Sequence, residues 1–440
     1  MRTFKTTEKV YKQPLLKDTG IDSKTGRLIS CPGVHSSFEP VFLRAGTTVS
    51  SRYIKGYLKM YPYGTEPLPC WSEKYCYAPE GNWLPYLAGL ETEWTNIIDV
   101  RQDTYARFSL RNIPEKISLT EAVKIQLPQK KKAEECNWIN DETDRLLGRI
   151  REAHLPTGVF YFILTDTHYA AGGNWRDTIA SIRSVAERLK PKAIIHLGDL
   201  TDGMYPLSQT KHFAEQVLED LRSVNTPLYL CLGNHDSNYF QGNPSWMTKR
   251  ESALFYIGKS VPYYWVDDPT HKLRMFFLDS FDPTRKQRYG FSRRELIWLK
   301  IHASLTPKDW RLLVFSHVTP AAGLHVWSDK ILNGAAAVNV LQHAKAMYLG
   351  WIHGHSHADQ VFYSNSGPLI GIGCGKTECF TDHKPVGSIT YQRKWNTPTQ
   401  ELWDVLFVPD CQPELRLFRY GAGEDRTVSW KGGSNWPKEI

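Results

Sequence analysis

The sequence has no long hydrophobic run. No stretch of its 440 residues approaches 18 consecutive apolar residues, so no transmembrane helix is expected. The N-terminal segment "MRTFKTTEKVYKQPLLKDTG" has no apolar core of the kind that a secretory signal peptide needs. These absences favour a cytoplasmic protein without a membrane span, and export by a route that uses no cleavable signal stays open.

The sequence also lacks paired cysteines and dense basic stripes. Its eight cysteines are scattered without a CxxC pair, so reduced thiols are expected in place of a disulfide framework. The net charge of +8 is a mild excess over this length, which permits an anionic substrate but does not indicate a nucleic-acid-binding protein. There is no internal repeat and no low-complexity segment. The composition is that of an ordinary globular protein with enough chain for two or three domains.

The first part of the chain has the pattern of a small β-domain. Residues 1–120 contain short β-like runs such as "EPVFLRAGTTV" and "YARFSLRN", separated by turn residues. No cluster of His, Asp and Glu occurs there, and a protein or glycan partner of this domain cannot be named from its sequence. Residues 121–155 are expected to be a linker with a connecting helix, because "NWINDETDRLLGRIREAH" has apolar residues at helical spacing.

From residue 156 the chain alternates between strands and helices. Continuous apolar runs such as "GVFYFIL", "AIIHL" and "WRLLVFS" are separated by amphipathic stretches such as "WRDTIASIRSVAERLK". Strands that are apolar throughout predict a sheet covered on both faces, so residues 156–425 are expected to form an α/β domain. Within it, "LWDVLFVPDCQPELRLFRYGAG" predicts a β-hairpin. Residues 426–440 are expected to be a C-terminal tail.

Five of these apolar runs end in Asp, Asn or His. The blocks, in chain order, are Asp166-Thr167-His168, Gly198-Asp199, Gly233-Asn234-His235-Asp236, His317 and Gly354-His355-Ser356-His357. In open α/β sheets the functional groups lie beyond the carboxyl ends of the strands, so these side chains are expected to meet. Carboxylates with imidazoles suit Mn²⁺, Fe²⁺ or Zn²⁺, and one Asp can bridge two ions ~3.5–4 Å apart.

These five blocks, in this order, resemble the calcineurin-like metallophosphoesterases. The resemblance covers roughly residues 156 to 425 and implies a four-layer α/β/β/α sandwich, preceded here by the small all-β domain. It implies a phosphoric ester hydrolase with two divalent metal ions. It also implies hydrolysis, most readily of a phosphodiester, by a metal-bridging hydroxide, with a small molecule or a polymer as substrate.

The resemblance implies a role for each matching residue. One metal ion would take Asp166, His168, Asp199 and His357. The second would take Asp199, Asn234, His317 and His355, so that Asp199 bridges. His235 would be the general acid that protonates the leaving oxygen, and Asp236 would orient it.

Three rival hypotheses remain beside the phosphodiesterase. Purple acid phosphatases have Tyr three residues after the bridging Asp, and because Asp202 stands there the tyrosinate-iron variant is not expected. A phosphomonoesterase of the same fold stays open. A nuclease is not favoured, because no dense Lys/Arg stripe is present. A non-catalytic binding or scaffold protein should lack some ligands, whereas all the blocks are complete.

Several other polar residues lie near the blocks. His196 and His353 lie inside apolar runs and are expected to pack behind the site. His325 is expected either to reach the substrate or to lie in a surface loop, and Asp202 either to brace the site or to cap a turn. The segment "GIGCGKT", residues 371–377, ends like a phosphate-binding loop, but its glycine spacing is wrong for one.

Overall fold

The computed structural model describes residues 15–21, 28–37, 41–43, 47–53, 56–62, 92–99, 104–126, 137–169, 174–203, 207–239, 245–325, 330–364, 367–376, 385 and 387–429. The chain divides into two compact units. One comprises Met1–Glu135 with Ala170–Gly173, and the other comprises Cys136–Tyr169 with Asn174–Ile440. None of the helices in the described ranges combines the length and the apolar character that crossing a bilayer requires.

The described part of the first unit is almost entirely strands. Its elements are β1 (Leu15–Leu16), β2 (Thr19–Ile21), β3 (Leu28–Ser30), β4 (Val34–Ser37), β5 (Val41–Leu43), β6 (Thr48–Ser51), β7 (Tyr57–Pro62), β8 (Ile97–Asp99), β9 (Thr104–Arg111), α1 (Leu119–Ala122) and β10 (Val123–Gln126). Strand β9 pairs with β4, β5 and β7, and β6 lies between β10 and β8. The expected β-rich N-terminal region is therefore confirmed.

One apolar core holds this first unit together. Leu58, Phe108 and Leu110 are fully buried in it, together with Leu119 and Val123 near its end. Strand β10 lies within the segment expected to be a linker, but it pairs with β6. The β-structure of this unit thus extends to residue 126, because Val123 contributes to the same core.

The second unit alternates strands and helices. Its elements are α2 (Asn137–Glu152), β11 (Gly158–Leu164), α3 (Trp175–Leu189), β12 (Ala193–His196), α4 (Leu207–Arg222), β13 (Leu228–Leu230), α5 (Lys249–Ser252), β14 (Tyr264–Asp268), β15 (Leu273–Leu278), α6 (Arg293–Ser304), β16 (Arg311–Ser316), α7 (Gly334–Gln342), β17 (Met347–His353), β18 (Gln360–Ser364), β19 (Gly367–Gly371), β20 (Leu402–Pro409), β21 (Glu414–Gly421) and β22 (Arg426–Ser429). Single turns of 3₁₀-helix occur at His235–Ser237, Ala322–Leu324 and Pro398–Gln400, and a π-turn at Ala253–Ile257.

These strands form two mixed sheets of six strands each. The first has the order β13-β12-β11-β20-β21-β22 and the second the order β14-β15-β16-β17-β19-β18. Strands β11, β12 and β13 are parallel, and so are β15, β16, β17 and β19. Strands β20 and β21 form the expected antiparallel hairpin.

Side chains alternate between the two faces of each sheet. In β11, Tyr161 and Ile163 lie in the core between the sheets, whereas Phe162 and Leu164 face the helices. In the second sheet, Met275 lies between the sheets and its neighbours in β15 pack toward α6 and α7. Both faces of each sheet are thus covered, which explains why the strands are apolar throughout. The four-layer α/β/β/α sandwich is confirmed.

The connecting helix expected within residues 121–155 forms as α2 and packs against this sandwich. Leu146 and Ile150 of α2 share a core with Ile182 of α3, and the Tyr420 hydroxyl donates a hydrogen bond to the carbonyl of Ile139 at 3.0 Å. Strand β22 continues the first sheet to Ser429, beyond the expected end of the domain at 425. Residues 430–440 of the expected tail lie outside the described residues.

Candidate metal centre

All seven predicted metal ligands lie in loops that follow the carboxyl ends of strands. Asp166 and His168 follow β11, Asp199 follows β12, Asn234 follows β13, His317 follows β16, and His355 and His357 follow β17. Backbone hydrogen bonds join neighbouring loops. The Asp166 N–H donates to the Gly198 carbonyl at 3.0 Å, and the Gly354 N–H donates to the His317 carbonyl at 2.9 Å. The parallel strands of both sheets therefore deliver these side chains to one place.

Five of these residues have a left-handed backbone conformation, which is uncommon for residues other than glycine. Their φ angles are 52° for Asp166, 40° for His168, 55° for Asp199, 68° for His355 and 53° for His357. Each such residue costs about 1–3 kcal/mol, and such residues cluster at functional sites. Residues two apart point to the same side only in an extended strand. The pairs Asp166 with His168 and His355 with His357 are therefore brought together by left-handed turns and not by strand alternation.

The first predicted ligand group converges on one point. The Nε2 atoms of His168 and His357 lie 3.1 Å apart. Asp166 Oδ1 lies 3.3 Å from His357 Nε2 and 3.7 Å from His168 Nε2. All three side chains are buried. A single cation could contact these three atoms at once.

The second predicted group converges on His317 Nε2. This atom lies 3.1 Å from Asp199 Oδ2, 3.1 Å from Asn234 Oδ1 and 3.0 Å from His355 Nδ1. The opposite ring nitrogen, His317 Nδ1, donates to the carbonyl of Leu197 at 3.0 Å. That bond leaves Nε2 with its lone pair toward the other three atoms, as a metal ligand requires.

Asp199 lies between the two groups. Its Oδ2 atom is 3.8 Å from His168 Nε2 on one side and 3.1 Å from His317 Nε2 on the other. Its Oδ1 atom accepts a hydrogen bond from the backbone N–H of His235 at 2.8 Å. One carboxylate oxygen is therefore placed to serve both groups, and the other fixes the loop after β13.

The donor set fits a pair of divalent cations. Asp166 Oδ1 is buried and accepts no hydrogen bond from the described residues, yet imidazole nitrogens surround it. A buried ionised oxygen is costly unless a cation or donor satisfies it. Carboxylate oxygens with imidazole nitrogens suit Mn²⁺, Fe²⁺ or Zn²⁺. The structure thus brings together all seven residues, and their ligand roles remain predictions.

His235 lies beside this centre. Its Nε2 atom is 4.0 Å from Asp199 Oδ2. Its Nδ1 donates to the backbone carbonyl of Asp202 at 2.5 Å. Because a carbonyl can only accept, this bond fixes the ring orientation and turns Nε2 toward the predicted metal ligands.

The contacts of Asp236 differ from the expected ones. Its carboxylate accepts from the backbone N–H groups of Asp199 at 2.9 Å, Leu200 at 2.9 Å and Gly233 at 2.7 Å. Asp236 therefore fastens the loop of Asp199, and the orienting contact on the His235 ring comes from Asp202. The expected role came from the family resemblance, whereas here both carboxylate oxygens of Asp236 accept hydrogen bonds from backbone N–H groups.

Electrostatics keep the two central carboxylates ionised. Burial acts to raise the pKa of Asp166, but the His357 and His317 rings lower it well below its usual range. Burial likewise opposes the shift of Asp199, whose pKa His317 and His235 lower. Burial and the Asp199 charge raise the pKa of Asp236 to about 6. Two permanent negative charges thus lie at the centre, which favours a cation there.

Two glycines permit the loops to approach this closely. A Cβ atom on Gly233 would lie 2.0 Å from Asp199 Oδ1, and one on Gly354 would lie 2.0 Å from Thr165 Oγ1. Both distances are far below van der Waals contact. The glycines of these two blocks are therefore required by close approach of the chain to the carboxylates.

The other histidines line the back and one side of the centre. Burial lowers the pKa of His196 to about 3 and that of His353 to about 4, as expected for neutral packing residues. His325 is buried and stacks on the ring of His355, with centroids 4.7 Å apart, so it is not a surface-loop residue. Tyr289 contacts both rings. Tyr289 lies in the segment before α6 and belongs to no motif or periodic pattern that the sequence shows.

Lys376 and Asp202 complete the surroundings. Both side chains are buried next to His168, and Lys376 belongs to the segment that resembles a phosphate-binding loop. Among the described residues, the next helical element after that segment's strand is the 3₁₀ turn at Pro398–Gln400. Burial acts to raise the pKa of Asp202, but Lys376 and His168 lower it.

Comparison with known proteins agrees with the fold. Residues 161–359 match the family model of the calcineurin-like phosphoesterases. The chain therefore contains a calcineurin-like phosphoesterase domain, and the resemblance noted in the sequence is confirmed. A protein of Rhodococcus erythropolis described as a probable cyclic nucleotide phosphodiesterase is 29% identical over 182 residues, which are 38% of this chain. The match spans 55% of that relative, or about half of its length.

Solved structures of low identity also match. A dimetal phosphatase from Danio rerio is 18% identical, with a TM-score of 0.46 over 62% of this chain and 100% of its own. The phosphopantetheinyl hydrolase of Mycobacterium tuberculosis is 11% identical, with a TM-score of 0.32 over 50% of this chain and 91% of its own.

Proposed function

We propose that the protein is a phosphodiesterase that works with two divalent metal ions. The observation that supports this most directly is the position of Asp199, whose Oδ2 atom faces both ligand groups while His235 stands beside it. When bound, two such cations activate water and neutralise the charge that develops on the phosphoryl oxygens. The donor set does not distinguish Mn²⁺ from Fe²⁺ or Zn²⁺.

Asp166, His168 and His357 would hold one cation, and Asn234, His317 and His355 the other, with Asp199 shared. The buried, hydrogen-bonded loops fix these side chains before substrate arrives, so little reorganisation is needed during the reaction. Asp236 contributes by holding the backbone on both sides of Asp199.

His235 would protonate the leaving oxygen. Its Nδ1–H bond to the Asp202 carbonyl leaves Nε2 as the nitrogen that can carry and release the second proton. In that role the proton moves from Nε2 to the departing alkoxide as the P–O bond breaks. The neutral ring that remains regains a proton from solvent.

The preference for a diester has two supports. Asp202 occupies the place where purple acid phosphatases carry Tyr, and the relative from Rhodococcus erythropolis is described as a probable cyclic nucleotide phosphodiesterase. A cyclic nucleotide is accordingly the first natural diester to test. A phosphomonoesterase of the same fold is the alternative that the test must separate.

The test is hydrolysis of a chromogenic phosphodiester beside its monoester. The protein is first stripped of metal with a chelator, and then Mn²⁺, Fe²⁺ or Zn²⁺ is restored separately. We expect no turnover after chelation and faster turnover of the diester after restoration. Faster turnover of the monoester would contradict the diester proposal, and turnover that survives chelation would contradict the metal mechanism.

A surface variant controls for effects of substitution and handling that are unrelated to the predicted ligands. Lys192→Met removes an exposed ion-pair partner of Asp268 just before strand β12, at the end of that strand opposite the one that Asp199 follows. We expect this variant to keep the wild-type turnover and metal dependence when purified in the same way.

A further inference from the structure

A buried lysine and a buried aspartate lie directly behind the predicted metal ligand His168. Asp202 Oδ1 is 3.4 Å from His168 Nδ1, the ring nitrogen opposite the one that faces Asp166. Lys376 Nζ lies 3.7 Å from Asp202 Oδ2 and donates to the backbone carbonyl of His168 at 3.0 Å. The two side chains together therefore contact both the ring and the backbone of His168.

The loop that carries Lys376 is itself fixed to the same block. The Gly375 N–H donates to the Thr165 carbonyl at 2.8 Å, and the Cys374 thiol donates to the Asp166 carbonyl at 3.0 Å. On the other side, Arg393 donates to the carbonyls of Cys374 at 2.6 Å and Gly375 at 3.0 Å. Hydrogen bonds on both sides thus restrain the backbone that carries Lys376, which limits the positions that its ammonium group can reach.

Burying two charges has a cost that their attraction to each other only partly offsets. Lys376 is 4% exposed and Asp202 is 3% exposed, so both have lost nearly all contact with water. A site that needed only packing would be served by apolar residues at lower cost. Both charged groups instead contact His168, a predicted metal ligand, and this shared contact indicates a role in positioning it.

We propose that Asp202 and Lys376 form a positioning pair that holds His168 in the ring orientation and tautomer needed for metal binding. Asp202 accepts the Nδ1 proton of His168, so Nε2 presents its lone pair to the cation. Lys376 holds Asp202 by charge and fixes the His168 carbonyl. The Gly375-Lys376 segment would then have a role other than phosphate binding. This proposal rests on the proposed metal centre.

The test measures Mn²⁺ affinity by titration calorimetry, after chelation, in the full-length protein. We expect Asp202→Asn, which keeps the shape of the side chain, to weaken binding about 10- to 100-fold, and Lys376→Met to weaken it similarly. Because both residues act on His168, the effects of the two substitutions should not add. The double variant should therefore bind Mn²⁺ little more weakly than either single variant. Turnover should return at saturating Mn²⁺, since the Asp202 carbonyl that orients His235 is unchanged.

Lys249→Met is the matched control. Lys249 is another lysine paired with a buried carboxylate, that of Asp279, but it does not contact the predicted ligands. We expect this control to lower the stability of the metal-free protein, measured by urea denaturation, and to leave Mn²⁺ affinity unchanged. A purely structural role for Lys376 would give that same pattern and would overturn the proposal.

Other outcomes are also decisive. Tighter Mn²⁺ binding in Lys376→Met would show that the lysine charge opposes the cation, which would overturn the positioning role. Turnover that stays low at saturating Mn²⁺ would overturn it as well. If the wild-type protein bound no divalent metal, the proposed function itself would fail. If it bound metal and the variants bound equally well, only the positioning pair would fail.

Discussion

At the scale of single residues, Asp199 shows how one side chain can serve two purposes. Oδ2 faces imidazole nitrogens of both ligand groups, whereas Oδ1 accepts a hydrogen bond from the His235 backbone. The second bond restrains the carboxylate so that its other oxygen stays between the groups. The same bond places His235 next to the centre, so the shared ligand and the proposed acid are coupled through the backbone.

This arrangement predicts the behaviour of His235→Gln. The hydrogen bond to Asp199 comes from the backbone N–H of residue 235, so the variant should keep the metal content of the wild type. Turnover of a diester with a poor leaving group should fall about 100- to 10,000-fold, because the proton donor is lost. A diester whose leaving group needs no proton should be affected much less.

Steady-state rates with a series of leaving groups, beside metal analysis, measure both effects. Equal losses for good and poor leaving groups at full metal content would contradict the role of a general acid.

Residue types in the site could be predicted, but their backbone conformations could not. Polar residues that end apolar strands indicate the carboxyl edge of a sheet, and that pattern identified Asp166, Asp199 and His355. Their left-handed φ angles depend on bonds from distant segments, such as the bond from the His355 N–H to Asp166 Oδ2. Bonds between residues so far apart in the chain leave no local sequence signal.

At the scale of elements, the loops that follow β11 and β17 fit together only because Gly354 has no side chain. A Cβ atom there would lie 2.0 Å from Thr165 Oγ1 and 2.6 Å from Asp166 Oδ2. Because Thr165 Oγ1 also donates to Asp166 Oδ2 at 2.6 Å, neither atom can move without disturbing a predicted ligand.

Gly354→Ala should therefore weaken metal binding and lower the free energy of unfolding by about 1–3 kcal/mol. Gly148→Ala is the matched control, since nothing lies within 4 Å of a Cβ at that position in helix α2. The control should raise stability by up to about 1 kcal/mol, through the better helix propensity of Ala. Urea denaturation with and without Mn²⁺ measures both, and an equal response of the two variants would contradict the close-approach argument.

A buried glutamate ties helix α3 to the start of β20. Glu401 Oε2 lies 2.5 Å from Thr178 Oγ1, which itself donates to the Asn174 carbonyl. Burial raises the pKa of Glu401 to about 7, although its hydrogen bonds with Thr178 and Asn174 act to lower it.

This shift makes the stability of the protein depend on pH. A folded pKa of about 7 lies above the ordinary value of 4.5, so the contribution is complete below pH 4.5 and is lost as the pH rises toward 7. Glu401→Gln stays neutral, so its free energy of unfolding relative to the wild type should rise over that window. Denaturation at a series of pH values measures this, with the exposed Glu424→Gln as the control. A constant difference between Glu401→Gln and the wild type would contradict the prediction.

Elements with a clear apolar pattern were predicted correctly, whereas α6 and β19, which lack one, were missed. Helices α2 and α3 have clear amphipathic spacing and formed where expected. Helix α6 buries Leu299 but exposes Ile297 and Ile301, so apolar residues occur on both of its faces and obscure the period. Strand β19 begins with Gly367 and Pro368, which are poor strand signals, yet it pairs with β17, which the predicted ligands His355 and His357 follow.

At the scale of the whole molecule, the predicted metal ligands lie in the second compact unit, and both sheets contribute to them. Asp166, Asp199 and Asn234 follow strands of the first sheet, and His317 and His355 follow strands of the second. The two groups can form only when the sheets pack face to face through their shared core. Metal binding should therefore report on the packing of the entire sandwich.

This dependence predicts a metal-linked stability. Ligands bound only by the folded state raise its stability by mass action, about 2.7 kcal/mol at a hundredfold excess over Kd. Mn²⁺ should therefore raise the midpoint of thermal unfolding, and a chelator should lower it. An unchanged midpoint, in a protein shown to bind Mn²⁺, would contradict the placement of the ligands on both sheets.

The most direct test of the account is the metal content of the wild type and of Asp199→Ala after reconstitution with Mn²⁺ and gel filtration. Asp268→Ala, which removes another buried aspartate away from the centre, is the control. We predict about two Mn²⁺ per chain in the wild type and the control, and close to none in Asp199→Ala, because both groups lose their shared oxygen. One ion or none in the wild type, or two in Asp199→Ala, would contradict a dinuclear centre bridged by Asp199.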